Sequence, residues 1–546
     1  MKIRANLLRV AIVSLAASIM QAAASQQQVR RIDSPQQGPF GRMVAIIGDK
    51  NGDGHDDIAA AVYVPIAPGG TTLVPEVWFF SGATGQVLGQ GRRNIDEIAR
   101  AGDHNGDAIC DYVVSCPAPA QSICSGWYCR SAEVRSGVND AIIWSGNVYA
   151  YPSIGTMLIS DLDINGDGGL DVLVGTTQVS FPGTGGGVII AISHGGANLY
   201  ELRMPAGESL ASGIGKFIDY NGDGCDDFLL GIYDSAGGRV DIRSGVDGSQ
   251  LRALRPQAPI YSGYGTTAAM IGDLDGDGLP DVISGEVGLG TPGVLQAIGS
   301  VTGNLIHRLQ ATSAGGGGDY FGYPTIACLD IDRDGVDDVV ASAENGPLST
   351  WGQYIFSGRD GTLIKRLVAN QQAGILGTVR AFPPQLGDLF RKYISRGFTG
   401  PIGGLYMISG APGGVIQTGA AGRGTLAQAP DIGVRQFEPS GFRITMSGAE
   451  PGVPSFLVLG FSQPPQPGVD LQALGFVGCT LFPSPDIYGL KIVGSTGIAA
   501  GYAMHDFTQQ LRATPGVGTY AVYAQWVALG QTWPGGVSEA VRMIVH

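Results

Sequence analysis

The sequence predicts an all-β protein, a seven-bladed β-propeller followed by a small C-terminal β-sandwich, and three observations predict it. A nine-residue acidic loop recurs six times at near-constant spacing, a Ser-Gly landmark closing a β-rich stretch recurs seven times, and glycine makes up 88 of 546 residues. Glycine at about 7% would be usual. Here it lacks collagen spacing, so it marks turns between many short strands. Charged residues are 15% and hydrophobic residues 44% of the chain, which excludes a disordered acidic polymer.

The first loop runs Asp49-Lys50-Asn51-Gly52-Asp53-Gly54-His55-Asp56-Asp57. Oxygen-bearing side chains stand at loop positions 1, 3, 5 and 9, with glycines at 4 and 6 for the tight turn. Alternate side chains point inward and the carbonyl of position 7, His55, adds a ligand, so the loop suits a hard cation. The copies are Asp103, Asn105, Asp107, Ile109 and Asp111; Asp163, Asn165, Asp167, Gly169 and Asp171; and Asp219, Asn221, Asp223, Cys225 and Asp227. Asp273, Asp275, Asp277, Leu279 and Asp281 follow, then Asp330, Asp332, Asp334, Val336 and Asp338. Successive first positions lie 54, 60, 56, 54 and 57 residues apart, a period that marks an array or a propeller. As turn chemistry alone, Asp-Asn-Gly loops rarely need four oxygen side chains in fixed register.

Each loop sits in the same surroundings. An apolar strand enters it (Val44 to Ile47), another leaves it (Ile58 to Val62), and a third ends in Ser-Gly, as in Trp78-Phe79-Phe80-Ser81-Gly82. A turn and the pair Val87-Leu88 complete the unit. Ser-Gly returns at Ser136, Ser244, Ser357 and Ser409, and in altered form at Ser193-His194-Gly195 and Ser300-Val301-Thr302-Gly303. The seventh unit keeps the landmark but reads Asp388-Leu389-Phe390-Arg391-Lys392 where a loop is due, so no metal is expected there. Seven units of four short strands make a propeller rather than a linear array, because strands apolar on both faces need neighbours on both sides. Val29-Arg30-Arg31-Ile32 reads as a fourth strand without a blade of its own, able to close the ring on the seventh unit in competition with Val415-Ile416.

An EF-hand would place Glu at loop position 12, where this chain has Ala60, Val114, Val174, Leu230, Ser284 and Ala341. With that reading excluded, Gly38-Pro39-Phe40-Gly41, the loop Asp49 to Asp57 and the strand to Gly82 resemble the FG-GAP repeat of integrin α-chain propellers and their bacterial relatives. The resemblance covers roughly residues 28–418. It implies calcium at about six sites, each between the first and second strands of a blade and held by positions 1, 3, 5 and 9 with the carbonyl of position 7. Two departures imply weaker binding: Ala108 at position 6 of the second loop and Arg333 at position 4 of the sixth.

Lys2, Arg4 and Arg9, an apolar run over 10–20 and Ala22-Ala23-Ala24 read as a signal peptide over residues 1–24. No later stretch approaches a transmembrane helix. The mature chain is then secreted, periplasmic or held at the cell surface. Loss of the three basic residues takes the net charge from −14 to −17, which speaks against nucleic acid. Six divalent ions would offset twelve of those charges. Seven cysteines suit an exported chain, with Cys116, Cys124 and Cys129 crowding one loop near Cys110 and their pairing open.

Residues 417–432 read as a linker, and 433–546 as the sandwich, with strands near 441–447, 455–462, 498–505, 518–528 and 538–545. Pro451-Gly452, Gly478-Cys479 and Tyr523-Ala524-Gln525-Trp526 resemble a module found at the ends of exported planctomycete proteins. Six histidines fit no zinc spacing, no G-x-S-x-G or H-E-x-x-H occurs, and His505-Asp506 is a lone pair, so no catalytic residue is assigned. The expected function is an extracellular binding or adhesion scaffold for a protein or glycan. The alternative is a carbohydrate-active protein, lectin or polysaccharide lyase or hydrolase, of the same build. Strand alternation puts the metal loops and Ser-Gly hairpins on one face. The other face carries the loops 63–76 and 116–131, with Trp127, Tyr128, Tyr261, Tyr264, Tyr320, Phe321 and Tyr323 either exposed for a partner or packed between blades.

Overall fold

The structure, a computed structural model, describes residues 28–545 except 37–38, 68–69, 118–129, 149–156, 181–185, 258–262, 287–292, 312–320, 323–325, 344–351, 369–373, 382–391, 400–401, 410–415, 420–430, 437–441, 450, 461–468, 472–478, 482–486, 493–502, 507–519, 530–535 and 539. The leader, Asp388 and its neighbours, Cys124, Cys129, Trp127, Tyr128, Tyr261, Tyr320 and Tyr323 lie outside the described residues.

Every described regular element is a strand. In the first repeat Phe40–Gly48, Asp57–Pro65, Leu73–Phe80 and Val87–Arg93 pair in that order as an antiparallel meander, and the next five repeats do the same. A single parallel pairing, Gly186 with Ser209, joins the third and fourth sheets. The second strands are buried on both faces, as Ile58-Ala59-Ala60-Ala61-Val62 shows, whereas the fourth strands are half exposed. That gradient is why apolar runs mark the middle of each repeat and polar alternation its outer edge.

The first strands touch one another in a cycle that returns from Gly374–Ala381 to Phe40–Gly48, so the seven sheets close a ring. Its cohesion is hydrophobic: seven apolar clusters lie one between each pair of neighbouring sheets. Because side chains alternate along a strand, Ile58, Ala60 and Val62 face the seventh sheet while Ala59 and Ala61 face the second. The last cluster joins Ile394, Leu405 and Met407 to Phe40 and Phe80 through Ile32. That isoleucine belongs to Gln28–Asp33, which pairs with Ile402–Ser409 as the fourth strand of the seventh sheet. Of the two candidates for closing the ring, the N-terminal strand is the one used.

The other candidate, Ile416–Gly419, pairs instead with Ala540–Val545. The stretch expected as a linker therefore begins and ends inside strands, at Ile416–Gly419 and Asp431–Gln436, with 420–430 between them outside the described residues. The C-terminal region holds a sheet ordered Ile416–Gly419, Ala540–Val545, Tyr520–Ala528, Pro454–Gly460, Ile487–Ile492, and a three-stranded sheet of Asp431–Gln436, Phe442–Ser447 and Ala503–Asp506. Strand Ile487–Ile492 had no counterpart in the sequence reading, and the strand expected near 498–505 is described only from Ala503 to Asp506. His505 pairs with Ile444 inside that sheet.

Of the aromatics that suited either an exposed face or the packing between blades, two are in the packing. Tyr264 and Phe321 are fully buried between sheets, Phe321 edge-on against Tyr354 and Phe356. Like Phe40, each precedes a glycine with positive φ that turns the chain inward at the start of the repeat.

Candidate metal centres

Each acidic loop organises its own backbone first. The Asp49 carboxylate accepts the N–H groups of Gly52 (2.7 Å), Asp53 (3.1 Å) and Gly54 (2.7 Å), which curls positions 4 to 6 around it. Asn51 accepts from Asp53, and Asp53 accepts from His55. The pattern repeats at Asp103, Asp163, Asp219, Asp273 and Asp330. Positions 4 and 6 need left-handed backbone, which glycine supplies elsewhere. Ala108 (φ 65°) and Arg333 (φ 57°) adopt it without that freedom, so both departures from the motif carry strain of about 1–2 kcal/mol each.

Position 9 does two jobs. Asp57, Asp111, Asp171, Asp227, Asp281 and Asp338 are completely buried. One carboxylate oxygen of Asp57 accepts Lys50 N–H (2.9 Å) inside the loop, and the other accepts Gly82 N–H (3.0 Å) from the hairpin between the third and fourth strands. The same bracket joins Asp111 to Gly137, Asp171 to His194, Asp227 to Gly245, Asp281 to Ser300 and Asp338 to Gly358. This explains the Ser-Gly landmark. A Cβ on Gly82 would lie 1.9 Å from the Asp56 carbonyl oxygen, and those on Gly137, Gly245 and Gly358 would meet the equivalent carbonyl at 2.1, 2.0 and 1.8 Å. The sequence shows the landmark but not this close approach, since the two segments lie some 25 residues apart.

Position 8 links neighbouring loops. Asp226 accepts Asp163 N–H (3.0 Å) and donates its own N–H to the Asp163 carbonyl (2.8 Å), tying the fourth loop to the third. Between the second and third loops, His104 and His194 stack at 4.3 Å, with Asp103, Asp167 and Gly169 lining an open hollow beside them.

Carboxylates crowd together in this scheme. Burial pushes Asp171 and Asp281 up to about 6, against the backbone N–H bonds they accept. Burial also raises Asp57, Asp111 and Asp227. In the sixth loop burial and the charge of Asp334 raise Asp330 to about 7, and Asp338 is also raised, by burial and by Asp332, Asp334 and Asp330. A cation relieves both causes at once. Carboxylate oxygens of Asp273, Asp275 and Asp281, and of Asp330, Asp332 and Asp338, all lie within 4.8 Å of one another and could hold a metal ion. The other four loops carry Asn at position 3, whose amide oxygen accepts the N–H of position 5. The donor set is oxygen throughout, with neither imidazole nor thiolate at positions 1, 3, 5 or 9. That chemistry fits a hard divalent cation and not zinc or copper.

Among the described residues, convergent carboxylates occur at positions 1, 3 and 9 of the fifth and sixth loops, while Asp53, Asp107, Asp167, Asp223 and Asp277 at position 5 are exposed. Cys110, Cys225 and Cys328 are free thiols. Among the described residues no helix is long and apolar enough to cross a membrane.

Comparison with known proteins fits this geometry. The family model described as FG-GAP-like repeat matches residues 219–284, which span the fourth loop, the strands after it and the fifth loop. Integrin alpha-4 of Xenopus laevis is 26% identical over 253 residues, 38% of this chain and 23% of its own length. Human integrin alpha-IIb is 30% identical over 168 residues, 27% of this chain and 16% of its own, and mouse integrin alpha-7 is 28% identical over 170 residues. The chain thus spans less than a quarter of the length of these relatives. A solved structure, of the Dos1 propeller, covers 69% of this chain and 95% of its own at 11% identity and a TM-score of 0.39, too loose a likeness to add weight. With the closed ring and the repeated loops in place, the chain carries an FG-GAP-like repeat at residues 219–284 and is similar over part of its length to the integrin α-chains.

Proposed function

We propose that this protein is an exported, calcium-stabilised propeller that serves as an extracellular binding or adhesion scaffold. The observation that carries the proposal is the position-9 bracket. In six repeats a buried aspartate fastens the metal loop to the neighbouring hairpin, so an ion in the loop fixes two of the three turns of a blade. Positions 1, 3, 5 and 9 with the position-7 carbonyls of His55, Ile109, Gly169, Cys225, Leu279 and Val336 would hold it. Extracellular calcium modules bind at about 10⁻⁴–10⁻³ M. At calcium tenfold above the dissociation constant each site contributes about 1.4 kcal/mol.

The adhesive part of the proposal draws on the integrin α relatives and on the address implied by the leader. The ligand, a protein or a glycan, would bind the face away from the metal loops. The C-terminal module would serve attachment or sorting. Binding of the immobilised protein to panels of extracellular-matrix proteins and glycans tests this reading. Saturable binding to a member of either panel, abolished when the ring is unfolded by chelation, is expected. Binding that survives unfolding, or release of a cleaved glycan product, would contradict it.

A further inference from the structure

The sixth metal loop differs from the others in having its positions 3 and 5 covered. At position 6, the sites of Gly54, Gly168, Gly224 and Gly278 open onto free space, but a Cβ on Gly335 would lie 2.8 Å from the Ser447 Cβ. Positions 3 and 5 of the sixth loop, Asp332 and Asp334, are each 2% exposed, whereas Asp53, Asp107, Asp167, Asp223 and Asp277 are open to solvent. The cover is strand Phe442–Ser447 of the C-terminal region. Its Thr445 and Ser447 hydroxyls donate to the Arg333 carbonyl at 3.4 and 3.5 Å. Arg359, on the adjoining hairpin, pairs with Asp334 (Nε to Oδ2, 3.1 Å).

We propose that an ion in the sixth loop latches the C-terminal region onto the propeller, a proposal that rests on the metal reading of these loops. An exposed acidic loop can leave its charge to water; a covered one cannot, and like charges beneath a protein cover must be neutralised. Arg359 answers Asp334. Asp330, Asp332 and Asp338 each bring one oxygen within 4.8 Å of the others, the cluster in which a divalent ion would sit. With the ion present the loop holds the curvature that offers the Arg333 carbonyl to Thr445 and Ser447. Without it those carboxylates must take up protons or water instead, the loop loses the curvature the ion held, and the strand lifts away.

The test uses the full chain with Ser447→Cys, in which the rate of maleimide labelling at position 447 is read by peptide mass spectrometry. Bound calcium is counted by equilibrium dialysis. Asp330→Asn disables the sixth loop, and Asp273→Asn disables the uncovered fifth loop as the control. The expected result is one ion lost in each variant, with labelling at least tenfold faster in Asp330→Asn alone. Loss of the ion from Asp330→Asn with labelling unchanged would overturn the latch and leave the metal reading standing. So would an unchanged ion count in Asp330→Asn beside a lost ion in Asp273→Asn. No calcium bound by the parent would overturn the metal reading itself. If Asp330→Asn does not fold, labelling of the parent across a calcium titration replaces it. A rate that slows with calcium supports the latch, and a rate independent of calcium refutes it.

Discussion

At the scale of single residues, two backbone positions carry strong expectations. Ala108 holds φ 65° where the motif has glycine. Relief of the left-handed strain, about 1–2 kcal/mol, is partly offset by the greater freedom glycine gives the unfolded chain, about 0.5–1 kcal/mol. Ala108→Gly should therefore stabilise the protein by roughly 0.5–1 kcal/mol; a denaturant midpoint that falls would contradict the strain. Gly82 is the opposite case. Its substitution by Ala puts a Cβ 1.9 Å from the Asp56 oxygen and forces the hairpin off the Asp57 carboxylate. The expected loss is at least about 2 kcal/mol, in the upper range for overpacking, and a neutral result in chemical denaturation would show that the hairpin is not held there. Both the motif and its two departures could be read in the chain. The reason for the Ser-Gly glycine could not, because it lies in a contact between segments that only the folded blade brings together.

At the scale of the loop and its hairpin, the position-9 aspartates predict opposite pH responses with and without an ion. Burial holds Asp171 and Asp281 at about 6, above the unfolded value near 3.8. Without metal the folded chain binds protons there that the unfolded chain releases, so its stability rises as pH falls from above 6 toward 4. Bound calcium needs these groups ionised, and protons then compete with it. In chelator the melting temperature should be higher at pH 5 than at pH 7.5; in millimolar calcium the order should reverse. The same order under both conditions would remove position 9 from the coordination. Sequence spacing marks these aspartates as candidate ligands. Their second role, bracing the hairpin through Gly82 and its equivalents, depends on burial that spacing does not reveal. The same limit applies to Tyr264 and Phe321, whose aromatic character suited an exposed face and an inter-blade core equally well until their packing was known.

At the scale of the whole molecule, the period of 54 to 60 residues marks an array or a propeller and the seven Ser-Gly landmarks supply the expected count, because each repeat is one meander that can bury its faces only against its neighbours. The end of the ring was harder to read. Residues 29–32 and 415–416 are both short and carry β-branched residues, and only pairing partners decide that Gln28–Asp33 completes the seventh sheet while Ile416–Gly419 joins the C-terminal one. Ile32, 2% exposed between the seventh and first sheets, should be critical for closure. Ile32→Asp places a charge in that cluster and should cost at least about 3 kcal/mol; proteolytic resistance equal to the parent would refute this mode of closure. The central claim is that calcium braces the ring, and a thermal melt of the full chain in millimolar calcium and in excess chelator tests it most directly. The account predicts a midpoint lower by roughly eight degrees in chelator, restored by calcium and not by magnesium at equal concentration. An unchanged midpoint would contradict it.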